Sequence, residues 1–341
     1  MPNWALSSTA GGRSQRADVW EGDDYWFFQH FRSHPRVEIV DTARWPGWRL
    51  EERFLHFYLA QGLVALWRSR RADVVVAHGV QSAVVLLAVR RLLRLGSPPV
   101  VVVDVGSLNG GRPDKRVSFG LARWAMRGAD GIIWHATVSR SIAAEHAPEL
   151  LAKGEVVHFG VDASEFEHPA SVDGDYAICI GYAKRDWQTL VAAWRLLPGI
   201  PLKVVGAPLE STDNADITFV PRVEFVEYRR LVAESRMVVL PIDEGDASWG
   251  QMTLLQSFAL GKPVVVSDVR PVADYVGPWC VRYAATDSAG LARSVRALWD
   301  DAPRRLHLGA AAQRVVLERY TEVAMALSIE RIVQRSVSGR E

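Results

Sequence analysis

Apolar residues fall along this chain in two repeating scales. From residue 73 to 158, runs of four or five apolar residues alternate with longer amphipathic stretches. The same alternation starts again at residue 176. Short apolar runs bounded by turn residues read as buried strands, and longer periodic stretches read as helices. In the first half the expected strands are 73–77, closed by His78-Gly79, then 99–104, 131–134 and 155–158. The expected helices are 81–95, 116–127 and 139–146, with Ser139 as N-cap. In the second half the expected strands are 176–180, 202–205, 217–220, 237–240 and 264–266. Helices are expected at 188–197, 224–235, 252–259 and 287–300, with a helical turn at 270–275 and the final helices within 308–333. Gly261 suits a left-handed helix terminus, and Pro263 stops the helix from resuming. Strands that alternate with helices build parallel sheets. The fold expected is α/β, with a linker over 167–175 marked by Pro169, Gly174 and several acidic residues.

The first seventy residues break this pattern. Residues 4–7 read as a strand followed by a loop with Gly11-Gly12, 23–31 as a helix with an aromatic face, and 36–41 as a strand. Residues 50–71 read as one long helix. Trp45, Trp48, Trp67, Arg68, Arg70 and Arg71 flank its apolar body within the segment 44–71. Three readings stand. It is an interfacial helix that docks peripherally on anionic lipid, a core-facing helix with a solvated basic end, or part of an acceptor groove whose aromatic rings stack on sugar faces.

Composition narrows the function. The 341 residues are 49% hydrophobic and 23% charged, which is globular. A net charge of +1 argues against nucleic acid as partner. The two cysteines, Cys179 and Cys280, stand far apart in apolar runs, and the nine histidines show no metal-ligand spacing. Neither a disulfide framework nor a metal site is expected. No apolar run reaches spanning length, because Arg90, Arg91 and Arg94 interrupt the longest one. With no basic-then-apolar leader pattern at its start, the chain reads as cytoplasmic, with peripheral contact at the inner membrane face under the first reading of 44–71.

The stretch from Ser248 to Asp268, S-W-G-Q-M-T-L-L-Q-S-F-A-L-G-K-P-V-V-V-S-D, carries the chemistry. Its helix starts beside Gly250, where unpaired backbone N–H groups and the positive end of the helix dipole favour phosphate. The same stretch resembles the signature of retaining family-four glycosyltransferases of the GT-B fold, E-x-F-G-x-x-x-x-E-A-x-A-x-G-x-P-V-V-x-S-D. Gln256 stands at its second glutamate and Ser248 at or near its first. Phe159-Gly160-Val161-Asp162, with Phe166 after it, resembles the family's N-G-V-D-x-x-x-F.

The resemblance implies two facing Rossmann-like domains with parallel sheets and a cleft between them. The domains would be an acceptor domain at 1–168, a nucleotide-sugar donor domain at 169–310 and a C-terminal helix at 311–341 crossing back to the first domain. It implies transfer of a sugar from a UDP- or GDP-sugar to an unidentified acceptor, lipid-linked or a small glycoside, with no metal and no cofactor. The basic pair Lys184 and Arg185, after Gly181, would grip the diphosphate. Val220 and Arg222 would border the base. Ser248, Trp249, Gly250, Gln251, Met252, Thr253 and Gln256 would line the donor. Gly11, Gly12 and His78 would lie between the domains or near the acceptor. Asp104 falls where the family usually has a histidine near the donor sugar.

Beside a sugar-nucleotide epimerase of the same fold, two rival readings remain open. In one, Asp104 acts as the base of an inverting transferase. In the other, the chain binds nucleotide-sugars without turnover, since both signature glutamates are replaced. An NAD dehydrogenase is disfavoured, because no G-x-G-x-x-G follows the first strand.

Overall fold

The computed structural model describes residues 26–41, 47–95, 98–106, 116–162, 173–182, 184–209 and 212–339. The expected strand at 4–7, Gly11-Gly12, Trp45, most of the glycine loop after Asp104 and most of the expected linker lie outside the described residues. The chain divides into two compact units. Unit 1 comprises Met1–His158, Asp246–Ser248 and Met325–Glu341, and unit 2 comprises Phe159–Gly245 and Trp249–Ala324.

Unit 1 is built on a parallel sheet of β1 (Val75–His78), β2 (Val100–Asp104), β3 (Gly131–Trp134) and β4 (Gly154–Val156), in that order. The helices between them are α3 (Val80–Leu92), α4 (Arg116–Met126) and α5 (Thr137–His146). They follow α1 (Trp48–Phe54) and α2 (Leu59–Arg68). Every residue of β2 and β3 is buried, as expected of strands covered on both faces. Val84, Leu87, Val100, Val102, Ile132, Trp134 and Leu150 share one core. Gly154 is required there, since a Cβ would lie 2.1 Å from the Trp134 ring. The Glu330 carboxylate, late in the chain, accepts the backbone N–H groups of Arg32 and Ser33 at 3.0 and 2.8 Å.

Unit 2 has a parallel sheet of β5 (Ala177–Ile180), β6 (Leu202–Val205), β7 (Ile217–Val220), β8 (Met237–Leu240), β9 (Val264–Asp268) and β10 (Val281–Ala284), ordered β10-β9-β8-β5-β6-β7. Its helices are α6 (Trp187–Trp194), α7 (Phe225–Glu234), α8 (Gln251–Ala259), α9 (Ser288–Trp299) and α10 (Ala302–Arg319). The last helix, α11 (Glu322–Ser338), begins in unit 2 and continues into the part of the chain grouped with unit 1. Cys179, Trp194, Val204, Met237, Val265 and Leu291 form the core. Both cysteines are buried and free. No described helix is long and apolar enough to cross a membrane.

The two parallel α/β sheets bear out the expected fold class, while three local expectations need correction and one strand was not expected. Residues 36–41 form no strand. The Val40 carbonyl there accepts the Gln61 side-chain N–H at 2.7 Å, so the segment is tied to a helix rather than to a strand edge. The helix expected at 50–71 is broken into α1, α2 and a 3-10 turn at Ser69–Arg71. His56 adopts φ 59, Tyr58 turns inward to 4% exposure, and the Tyr58 N–H bonds Gln81 O at 3.1 Å. The Glu51 carboxylate then accepts the Ala60 N–H, closing the new helix start. Ser139 does not cap α5. Its cap is Ala136, and Ser139 is buried inside the first turn. Finally, β10 went unread because only Tyr283 of its four residues is fully buried, as befits an edge strand.

Candidate functional site

The order of the unit 2 sheet fixes where a ligand fits. From β5 the chain builds outward through β6 and β7, then returns to place β8 on the other side of β5. Ligands in open parallel sheets bind beyond the carboxyl ends of the strands at such a reversal. The loops leaving β5 and β8 are those of Gly181–Asp186 and Pro241–Gly250. An antiparallel bridge between Arg185 and Ile242 joins them. Asp186 caps α6, accepting the Thr189 N–H at 2.9 Å. Ser267, on β9, holds Ile242 through both its N–H and its carbonyl.

Arg185 is the centre of this junction. The residue is 6% exposed, and its guanidinium donates to Ile180 O at 3.4 Å, Lys184 O at 3.4 Å and Thr253 Oγ1 at 3.3 Å. All three acceptors are uncharged, and burial pulls the Arg185 pKa down. Gly181 makes room for it, since a Cβ there would lie 2.4 Å from one guanidinium nitrogen. A Cβ on Gly250 would press on Ile242 at 2.6 Å and stand in ordinary contact, 3.5 Å, with a second guanidinium nitrogen. Gly250 has φ 80 and caps α8 without a side chain. The first N–H groups of α8 and the Arg185 cation therefore stand together at one strand junction. Such a pairing favours an anion.

The remaining donor-side candidates separate by position. Lys184, next in sequence to Arg185, is exposed with φ 55, its ammonium 5.2 Å from the Trp249 ring. That indole donates to Asp243 O at 3.0 Å and packs on Gly245. Thr253 bonds Arg185, Met252 is exposed, and Gln256 is buried in the body of α8. The Gln251 Oε1 is buried and accepts from no described residue, which leaves an acceptor for a ligand donor. Ser248, directly before Trp249 in sequence, groups with unit 1. Val220 ends β7, and Arg222 lies over the Tyr182 ring at 4.3 Å. Tyr182 packs on Gly206 and donates to Val223 O at 3.3 Å, so it ties the β5 loop to the β7 loop.

Of the acidic loop, Glu244 pairs with Arg270 at 3.1 Å, and burial raises the Asp243 pKa. Among the described residues no three His, Cys, Asp or Glu are grouped to hold a metal ion.

In unit 1, three polar residues end adjacent strands. His78 closes β1, Asp104 closes β2, and His135 follows β3. Asp104 is 2% exposed and accepts the Gly106 N–H at 3.2 Å. His78 and His135 have ring centroids 6.2 Å apart. Sequence reading passed over His135, although the logic that singled out His78 and Asp104 at strand ends applies to it equally. His135 Nδ1 faces Val157 O at 2.8 Å, which assigns the proton to that nitrogen.

Burial, only partly offset by that carbonyl, lowers the His135 pKa from 6.5 to about 4. Between those values the folded state binds fewer protons than the unfolded state, so stability falls as pH drops through this window. His135→Asn, which keeps an N–H for Val157, is expected to flatten melting temperature against pH between 6.5 and about 4. An unchanged slope would assign the acid sensitivity to other groups.

No curated protein sequence matches the chain. Several solved structures are similar. HepE from Anabaena, in complex with UDP and glucose, has a TM-score of 0.69 at 15% identity, covering 88% of this chain and 86% of that one. Sucrose-phosphate synthase from Thermosynechococcus elongatus has a TM-score of 0.67 at 15% identity, covering 91% and 85%. The catalytic domain of starch synthase IV from Arabidopsis thaliana, bound to ADP and acarbose, has a TM-score of 0.60 at 12% identity, covering 82% and 76%. At these identities the likeness speaks to the fold, which is of the GT-B class. Residues 176–301, which hold the Arg185 junction, match the family described as Glycosyl transferases group 1.

Proposed function

We propose that the chain transfers a hexosyl group from a UDP- or GDP-sugar to an acceptor, with retention at the anomeric carbon and without a metal. The observation that carries this reading is the buried Arg185 guanidinium beside the uncapped start of α8, at the reversal point of the unit 2 sheet. In the proposed reaction the bond between the anomeric carbon and the diphosphate oxygen breaks as the acceptor oxygen bonds to the same face. The departing diphosphate oxygen takes the acceptor's proton, so no side-chain base is required.

The protein's task is then electrostatic. Arg185, Lys184 and the first N–H groups of α8 stabilise the negative charge that grows on the diphosphate. Tyr182 and Arg222, with the loop after Val220, are assigned to the nucleoside. Met252 and Thr253 line the phosphates, and Gln251 Oε1 takes a donor from ribose or sugar. The acceptor is assigned to unit 1, with His78 and Asp104 as its first candidates. The UDP-bound and ADP-bound complexes of the similar structures support a nucleotide ligand in this fold.

A second reading is a nucleotide-sugar binder without turnover. It is favoured by Gln256, a neutral and buried side chain where the resembled signature has a glutamate. Thermal stabilisation by a panel of nucleoside diphosphates and nucleotide-sugars tests the shared premise, since a ligand of the native state raises the melting temperature. A shift with UDP or GDP compounds is expected, and none with any compound would sink both readings. Release of free diphosphate, in the presence of chelator, then separates enzyme from binder. The anomeric proton signal of the product tests retention.

A further inference from the structure

Unit 1 exposes large apolar side chains where a surface helix ordinarily carries polar ones. On α1, Leu50 is 62% and Phe54 71% exposed, and on α2 Leu63 is 51% and Trp67 61% exposed. Leu59, Leu63 and Trp67 recur every four residues, so they share one face of α2. The buried side of that helix is Gln61, Gly62 and Ala65. Gly62 packs against Val85 of α3 so closely that a Cβ would lie 2.5 Å from the valine's own.

The patch continues onto α3. The Tyr58 N–H bonds Gln81 O, and Gly62 meets Val85 four residues further along each segment, so α2 and α3 run side by side in the same direction. Their C-terminal ends therefore lie together. At that end of α3, Leu92 and Leu93 are 70% and 65% exposed, and Leu95 beyond them is exposed as well.

The charges around this surface are of one main sign. Arg49, Arg53, Arg70, Arg71, Arg91 and Arg94 are all exposed. Arg68 is already paired with Glu38, and the Glu51 carboxylate is turned to the Ala60 N–H. The other acids here are Glu52 on α1 and the exposed Asp73 at the edge, against six exposed arginines. This local basic excess contrasts with a net charge of only +1 for the whole chain. Three of the patch's aromatic rings carry a guanidinium beside them, Arg49 at Trp48, Arg53 at Phe54 and Arg71 at Trp67, at 5.4, 5.6 and 6.0 Å.

We infer that this face of unit 1 docks on an anionic lipid bilayer. The apolar stripe enters the boundary between headgroups and acyl chains, and the arginines reach lipid phosphates with their stems along the apolar surface. A second copy of the chain fits less well, because a two-fold contact would set the same arginines against themselves. The inference does not depend on the transferase reading.

The test is co-sedimentation of the full chain with vesicles of phosphatidylglycerol and phosphatidylcholine, against vesicles of phosphatidylcholine alone. Binding is expected to the anionic vesicles at low salt, at least about tenfold weaker without the anionic lipid, and reduced by added salt. Phe54→Ser, Leu63→Ser and Trp67→Ser combined should lower vesicle affinity at least about tenfold. The melting temperature should hold, because all three side chains are exposed. Arg70→Glu with Arg71→Glu should act in the same direction. Failure of the wild-type chain to pellet with anionic vesicles at low salt would overturn the inference. So would undiminished pelleting of the triple-serine variant, or a wild-type dimer that the triple-serine variant dissociates.

Discussion

Arg185→Ala is expected to weaken nucleoside diphosphate binding by about 10- to 100-fold, the loss of one to two charge-assisted hydrogen bonds of about 1.5–3 kcal/mol in all. Turnover should fall further, by a factor of about 10²–10³, because the guanidinium meets more negative charge in the transition state than in the bound donor. The unliganded protein should behave differently. Arg185 is buried against the neutral acceptors Ile180 O, Lys184 O and Thr253 Oγ1, and burial works against its charge. Removing the buried cation relieves that burial, which offsets the packing and hydrogen bonds lost with the side chain, so the unliganded melting temperature should stay near the wild-type value. The signature is therefore a native-like melting temperature with a collapsed ligand-induced shift. Arg185→Lys should rescue little, since a point ammonium cannot reproduce the planar fork that spans these acceptors. Lys184→Ala should cost less than Arg185→Ala, because the exposed ammonium is screened by solvent. Titration calorimetry with UDP and GDP checks the order. Retention of the full ligand response in Arg185→Ala would remove this residue from the site.

What sequence could and could not reveal follows from the reach of each interaction. Strands such as β2 advertise themselves because both faces are covered, which leaves an unbroken apolar run at Val100–Val103 before Asp104. The start of α8 was legible for a similar reason, since Gly250 at positive φ and Gly261 at its far end are local requirements of the backbone. The break between α1 and α2 was not legible. Leu55-His56-Phe57-Tyr58 contains no glycine or proline, and the turn depends on bonds from Tyr58 to Gln81 and from Ala60 to Glu51.

The same distinction divides the basic pair. Lys184 and Arg185 are neighbours in sequence, yet one is exposed and the other buried. Arg185 owes its burial to the space beside Gly181 and to the placement of β8 beside β5, and no local pattern encodes that placement. Tyr182 is a comparable case. Its contacts with Gly206, Arg222 and Val223 join two loops that are adjacent only in the folded sheet. The amphipathic segment at 44–71 admitted three readings in sequence. The exposure of Leu59, Leu63 and Trp67 along one face argues against a wholly core-facing helix.

Gly181→Ala is expected to reproduce most of the ligand-binding defect of Arg185→Ala while leaving every charge in place. Gly181 has φ 138, a conformation that disfavours alanine, and the added Cβ would lie 2.4 Å from one guanidinium nitrogen and 2.8 Å from the guanidinium carbon. The guanidinium is the far end of a flexible side chain, so it can move. Moving breaks its bonds to Ile180 and Thr253 and takes it from the start of α8. The backbone strain costs about 1–3 kcal/mol, so this variant should also melt lower without ligand. That separates it from Arg185→Ala, whose unliganded melting temperature holds. In the double variant the new Cβ enters the space the guanidinium has left. Steric strain is relieved and only the φ penalty remains. The double variant should therefore melt higher than Gly181→Ala and bind nucleotide no more weakly than Arg185→Ala. Such non-additivity is the mark of two residues acting through one contact. Strictly additive losses in melting temperature and in UDP affinity would show that Gly181 does not hold Arg185 in place, and that the glycine serves the turn alone.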